Sequence, residues 1–181
     1  MAYLAAAIVV LILFTVVQYN QLVSLRNYVR NSWSNIDTEL KRRYELIPNL
    51  VAAVKAYATH ERELLETVTR LRTACMDSKG KPAEQANDEL KLVHGLQRLL
   101  VLAEGYPELK ADKNFLELQN ELVNTEDRIQ AARRFYNGNV RDYAVKCESF
   151  PSNFIAQMFG FEPEDYFSVE PSVKGMPNVD F

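Results

Sequence analysis

The chain has 181 residues, 48% hydrophobic and 25% charged, with only 6 glycines and 7 prolines, which is enough apolar material for one sizeable core and too few turn formers for a turn-rich β fold. Net charge is −3 and unevenly placed: residues 18–150 carry 20 basic and 19 acidic side chains, whereas 151–181 carry one basic and five acidic. A balanced body with an acidic end excludes the one-sided basic footprint of a nucleic-acid binder.

The first seventeen residues, MAYLAAAIVVLILFTVV, hold no charge, and the first charged side chain is Arg26. At about 1.5 Å per residue the run extends roughly 25 Å, at the short end for crossing a bilayer. Tyr3 and Tyr19 bracket it, where amphipathic rings suit the two membrane interfaces. A cleaved signal peptide fits less well. No basic segment precedes the run, and bulky TVVQYN stands where a small-residue cleavage site would be needed. Residues 1–18 are therefore expected to be a retained transmembrane anchor. Arg26 and Arg30 follow the span and only the terminal amine precedes it. The positive-inside rule then expects the amino terminus outside and the remainder in the cytoplasm.

Beyond the span, Leu22, Leu25, Val29, Trp33, Ile36, Leu40, Tyr44 and Ile47 recur at steps of three and four, one apolar face of a long helix continuous with the anchor. A second run passes through Leu50 or Val51, Val54, Tyr57, Leu64, Val68, Leu71 and Cys75, and ends at the turn formers of MDSKGKP. A third runs through Leu90, Val93, Leu96, Leu100 and Ala103 and stops at EGYP, where Gly105 suits a left-handed helix end and Pro107 prevents continuation. A fourth starts at an Asp112 cap and carries Phe115, Leu118, Leu122, Ile129, Ala132, Tyr136, Val140, Tyr143 and Cys147, weakened locally at Gly138. FPSNFIAQMFGF reads as a proline break, a Ser152 or Asn153 cap and a short apolar helix ended by Gly160. The expected fold is all-α: an N-terminal transmembrane helix continuous with an antiparallel up-down bundle of about four long helices, plus a short C-terminal helix. The expected divisions are 1–18 anchor, 19–150 cytoplasmic bundle, 151–161 docking helix and 162–181 an acidic tail, extended or mobile.

Proline at position 48 lacks an amide proton and clashes with the preceding turn, which costs about 3 kcal/mol in a helix interior and little in a first turn. Ile47, Pro48 and Asn49 are accordingly expected to form the corner between two helices, with a kinked continuous helix as the other reading. His60-Glu61 opens an H-E-x-x-H pattern that Leu64 breaks, and the only other histidine is His94. The acidic pairs Asp88-Glu89 and Glu126-Asp127 are adjacent in helices, so their members point to different sides. Cys75 and Cys147 are far apart without a CxxC and read as buried thiols in a reducing compartment. No catalytic residue, cofactor site or metal site is assigned. Trp33, Tyr44, Tyr57, Phe115, Phe135, Tyr136 and Tyr143 lie on or beside the apolar stripes, as core or as a groove for a partner helix. Phe150, Phe154, Ile155, Met158, Phe159 and Phe161 are candidate docking residues, free to cap the bundle end, dock on a neighbouring subunit or touch the bilayer.

The stretches YNQLVSLRNYVRNSWSNIDTELKRRYELIPNLVAAVKAYATHE (Tyr19–Glu61), YPELKADKNFLELQNELVNTEDRI (Tyr106–Ile129) and ARRFYNGNVRDY…FPSNFIAQMFGFEPEDYF (Ala132–Phe167) together resemble the bacterial LemA family over nearly the whole chain. One departure is Ala144, where the family pattern after VRDY has Asn. The resemblance implies a single N-terminal membrane helix with an outside amino terminus, a cytoplasmic helical bundle, and neither catalytic residues nor a cofactor. It implies a broad association with organising bacterial membranes, magnetosome formation included, or with membrane proteases and stress responses. Sequence and resemblance together lead to a non-enzymatic, self-associating scaffold in the bacterial inner membrane. Its expected partners are the lipid bilayer, further copies of itself and other membrane proteins. An adaptor that docks a membrane protease or sensor kinase by helix–helix contact is the alternative.

Overall fold

A computed structural model describes residues 1–78 and 80–168; the part of the expected acidic tail beyond Ser168 lies outside the described residues. The described chain is all-α, six helices with no strand: α1 (Ala2–Tyr57), α2 (Arg62–Asp77), α3 (Pro82–Ala103), α4 (Pro107–Lys110), α5 (Lys113–Glu148) and α6 (Ser152–Phe159).

Helix α1 runs 56 residues without interruption, roughly 84 Å at the ordinary rise. The expected corner at Ile47, Pro48 and Asn49 is therefore not there, because Pro48 lies inside the helix. The physical reason is local. Proline cannot donate to the carbonyl four residues back, that of Tyr44. That carbonyl instead accepts a hydrogen bond from Arg72 Nε at 2.6 Å, a charge-assisted replacement for the missing amide. The ring faces solvent while Ile47 and Leu50 on either side are buried. The chain turns ten residues later, at Ala58–Glu61, where Ala58 N–H donates to Val54 O and Glu61 N–H to Ala58 O.

Prolines open α3 and α4 at their first turns, where the missing amide is not needed. Helix α5 begins as expected: the Asp112 carboxylate accepts from the Phe115 N–H at 2.9 Å. It then passes through Gly138 and Ala144 unbroken to Glu148. Two capping expectations need correction. Gly105 is not left-handed; among the described glycines only Gly160 has positive φ, at 67°. There it closes α6 in a Schellman arrangement, with Phe161 N–H donating to Ala156 O at 2.9 Å. Ser152 does not cap its own helix. Its hydroxyl donates back to Lys146 O and Ser149 O, at 2.7 and 2.9 Å, near the end of α5.

The chain divides into two compact units whose boundaries fall inside α1 and α5: Met1–Asp37 with Ala131–Asp165, and Thr38–Gln130 with the residues from Tyr166. In the first unit, Leu22, Val29 and Ile36 of α1 and Tyr136, Val140 and Tyr143 of α5 are buried with Ile155, Ala156 and Phe161. Trp33 meets Tyr136 edge to face at 5.3 Å between ring centroids. The second unit buries Leu40, Ile47, Leu50 and Val54 of α1, Leu65, Val68 and Cys75 of α2, Leu92, Leu96 and Leu99 of α3, and Phe115, Leu122 and Ile129 of α5. A side chain at Gly95 would stand 3.3 Å from Leu71 Cδ1, so α2 and α3 approach closely there. Of the aromatic stripe residues, Phe135 is exposed rather than packed, and Tyr57 is partly so.

Candidate functional site

Two local arrangements, one in each unit, stand out from ordinary packing. In the first unit the apolar run of α1 is uncovered. Ten large apolar side chains between Leu4 and Val17 are exposed, and α1 is long and apolar enough to cross a membrane. Of the residues expected at the membrane interfaces, Tyr3 is 92% exposed and Arg30 is exposed. Tyr19 packs against two rings, with centroids 4.9 Å from Phe159 and 5.6 Å from Phe161. Arg26 lies over the Phe161 ring at 4.7 Å, a cation–π contact.

The six candidate docking residues divide. Phe150, Phe154, Met158 and Phe159 are exposed, whereas Ile155 and Phe161 are buried. The last two face inward from α6 and its C-terminal turn, so they hold the helix in place and offer no docking surface. Phe150 and Phe154 contact each other edge to face at 6.1 Å.

The second unit holds a buried charge cluster. Arg43, 1% exposed, donates from Nη1 to Glu126 Oε2 at 2.8 Å and from Nη2 to Glu89 Oε2. The Tyr44 hydroxyl donates to the other Glu89 oxygen. Glu89 is 3% exposed, and the Glu126 side chain reaches partly to water. Arg43 Nε is buried without a hydrogen-bond partner. Burial pushes the Glu89 carboxyl above the usual carboxylate range, against the pull of Arg43 and of the Tyr44 hydrogen bond. Burial, then the Glu89 charge, raises the Tyr44 phenol. The same two causes in the same order push the Cys75 thiol up to about 12, which keeps it protonated and unreactive near neutrality.

Chemically the cluster is closed. One guanidinium bridges two carboxylates, and a phenol supplies a further donor to Glu89. This assembly escaped sequence reasoning, but a signal for each member exists. Arg43 falls three residues after Leu40 and four before Ile47, on the buried face of α1. Glu126 lies four after Leu122 and three before Ile129. Glu89 lies three after buried Ala86 and three before buried Leu92. A charge on an apolar stripe in each of three helices is the pattern of a buried ion network. Both histidines are exposed, and no group of three potential metal ligands exists among the described residues.

The LemA family profile matches residues 32–181, a stretch that holds the charge cluster and α6 and begins after the apolar run, Tyr19, Arg26 and Arg30. Magnetosome protein MamQ 2 of Paramagnetospirillum magneticum is 25% identical over 92% of this chain and 70% of its own length. Magnetosome protein MamQ of Magnetospirillum gryphiswaldense is 24% identical over the same shares. Protein LemA of Metamycoplasma hominis is 29% identical over 76% of this chain and 63% of its own. None of these names denotes an enzyme. With a family match over most of its length and its quoted motifs in order, the chain belongs to the LemA family.

Proposed function

We propose that this protein is a non-enzymatic, membrane-anchored helical scaffold that self-associates and organises the membrane or proteins within it. The observation that carries the reading is the continuity of α1. An apolar segment that none of the described residues covers continues, without a break in the helix, into the stretches that supply buried residues to both units. Covering ten large apolar side chains is worth on the order of 15–30 kcal/mol gross, so the segment requires lipid or protein around it. Ala5, Ala6 and Ala7 within it allow close approach of a second such helix. Arg26 and Arg30, after the span, favour an outside amino terminus and a cytoplasmic body in a bacterial inner membrane. The buried carboxylates are engaged by Arg43 and Tyr44 rather than presented as a base. Relatives named magnetosome proteins support the organising part of the reading.

Native-membrane extracts examined by mass photometry and crosslinking test the proposal. Multimers dominated by this chain are expected. Monomers alone at working concentration would count against it, and crosslinks dominated by one other protein would replace the scaffold with an adaptor. A tag after Phe181 is expected to resist protease added from outside, and its cleavage would reverse the topology.

A further inference from the structure

We infer that α6 is a second, shallow membrane contact: the Phe150–Phe154–Met158 stripe enters the headgroup–acyl boundary of the bilayer beside the end of the spanning part of α1. The inference rests on the reading of α1 as a membrane anchor.

The sequence of α6, SNFIAQMF, has no charged side chain. Ser152, Ile155 and Ala156 face inward and are buried. Phe150, Phe154 and Met158 are 81%, 61% and 75% exposed; Phe154 and Met158, four apart on α6, share one outer edge, and Phe150, just before the helix, meets the Phe154 ring. A helix apolar on both faces is out of place against water.

The position of α6 within its own unit identifies the occupant. Phe159 and Phe161 pack against Tyr19, only two residues beyond Val17, the last of the apolar run. That separation along α1 is about 3 Å, so this end of α6 lies level with the end of the span. Cations flank it as they would at an anionic surface. Arg26 covers the Phe161 ring, and Lys146 lines a groove with Val17, Asn20, Gln21, Ser24 and Leu25. Long basic side chains at this depth reach headgroup phosphates while their stems stay on apolar ground. The helix is also held in its orientation. The Ser152 hydroxyl ties its start to the end of α5, and the Gly160 turn fixes its finish. Contiguity with the apolar run, together with these cations, favours lipid over a second protein surface.

The test uses the full chain in mixed phosphatidylcholine–phosphatidylglycerol vesicles. Trp33→Phe removes the single native tryptophan while keeping a ring against Tyr136. Into that background goes one of Phe14→Trp, Met158→Trp or Val101→Trp, the last an exposed position in the other unit. Lipids brominated near the glycerol end or near the methyl end of their acyl chains then quench nearby tryptophan emission. Met158→Trp is expected to lose most emission with the glycerol-end label and to emit to the blue of Val101→Trp, which neither label quenches. Phe14→Trp, three residues inside the end of the span, is expected to be quenched by both labels, and more by the methyl-end label than Met158→Trp is. Quenching at Phe14→Trp with none at Met158→Trp overturns the shallow contact alone. Absence of quenching at Phe14→Trp removes the anchor itself, and the contact with it.

Discussion

Replacing Arg43 by methionine removes the guanidinium and retains an unbranched apolar chain of similar reach. Glu89, 3% exposed, then keeps only the Tyr44 hydroxyl as a strong donor. Leaving one member of a buried ion pair alone costs about 3–5 kcal/mol. For a chain of this size that lowers Tm by roughly 6–20 °C. Glu126→Gln is expected to cost under about 1 kcal/mol, because its side chain is 35% exposed and water compensates. The decisive variant is the double, Arg43→Met with Glu89→Leu, which removes both buried charges. It is expected to recover most of the loss, since an apolar replacement of a buried pair is often neutral or better. Far-UV circular dichroism of the full chain in detergent, melted thermally and in urea, reads the wild type, these three variants and the single Glu89→Leu that completes the cycle. Losses that simply add in the double variant, or an Arg43→Met loss below about 1 kcal/mol, would refute the coupling derived from the geometry.

Three further outcomes rest on particular contacts. Arg72→Met strands the Tyr44 carbonyl and is expected to cost about 1–3 kcal/mol in urea unfolding; in a Pro48→Ala background, where an amide proton returns to that carbonyl, the same change is expected to cost clearly less. Gly138→Ala meets nothing within 4 Å and sits inside α5, so it is expected to raise Tm by roughly 1–4 °C, from about 0.5–1 kcal/mol of helix propensity. Tyr44, Tyr136 and Tyr143 all have phenols raised by burial. The folded chain keeps on these phenols protons that the unfolded chain releases near pH 10, so their contribution to stability is level below about pH 10 and falls above it. Melting temperature followed into that alkaline range checks the sign, and a rise would overturn it.

Much of the fold was legible because helical periodicity is a strong signal. The buried positions Leu22, Val29, Ile36, Leu40, Tyr44 and Ile47 lie where steps of three and four placed them. The Asp112 cap and the stop after Ala103 came from local chemistry that tertiary structure leaves intact. The corner at Pro48 failed because the group that compensates the proline lies 28 residues away, and nothing near Tyr44 announces Arg72. The true turn at Ala58–Glu61 has neither glycine nor proline to mark it. In α3 Leu96 and Ala103 of the expected stripe are buried, whereas Leu90, Val93 and Leu100 lie at its half-buried edge and Leu92 and Leu99 take the core positions. The exposed edge of α6 was legible as an apolar helix, but which of its residues turn inward depended on the fold around Tyr19.

The bond from Arg72 to the Tyr44 carbonyl also orders events during synthesis. The longest helix of the protein cannot satisfy its own backbone at that point, and the donor it needs is translated later. Until the second helix has emerged and closed on the first, the rod has a weak joint next to its only internal imino acid. Before that donor is in place, the stretch around Tyr44 lacks one backbone hydrogen bond and bends more easily than it does in the folded chain.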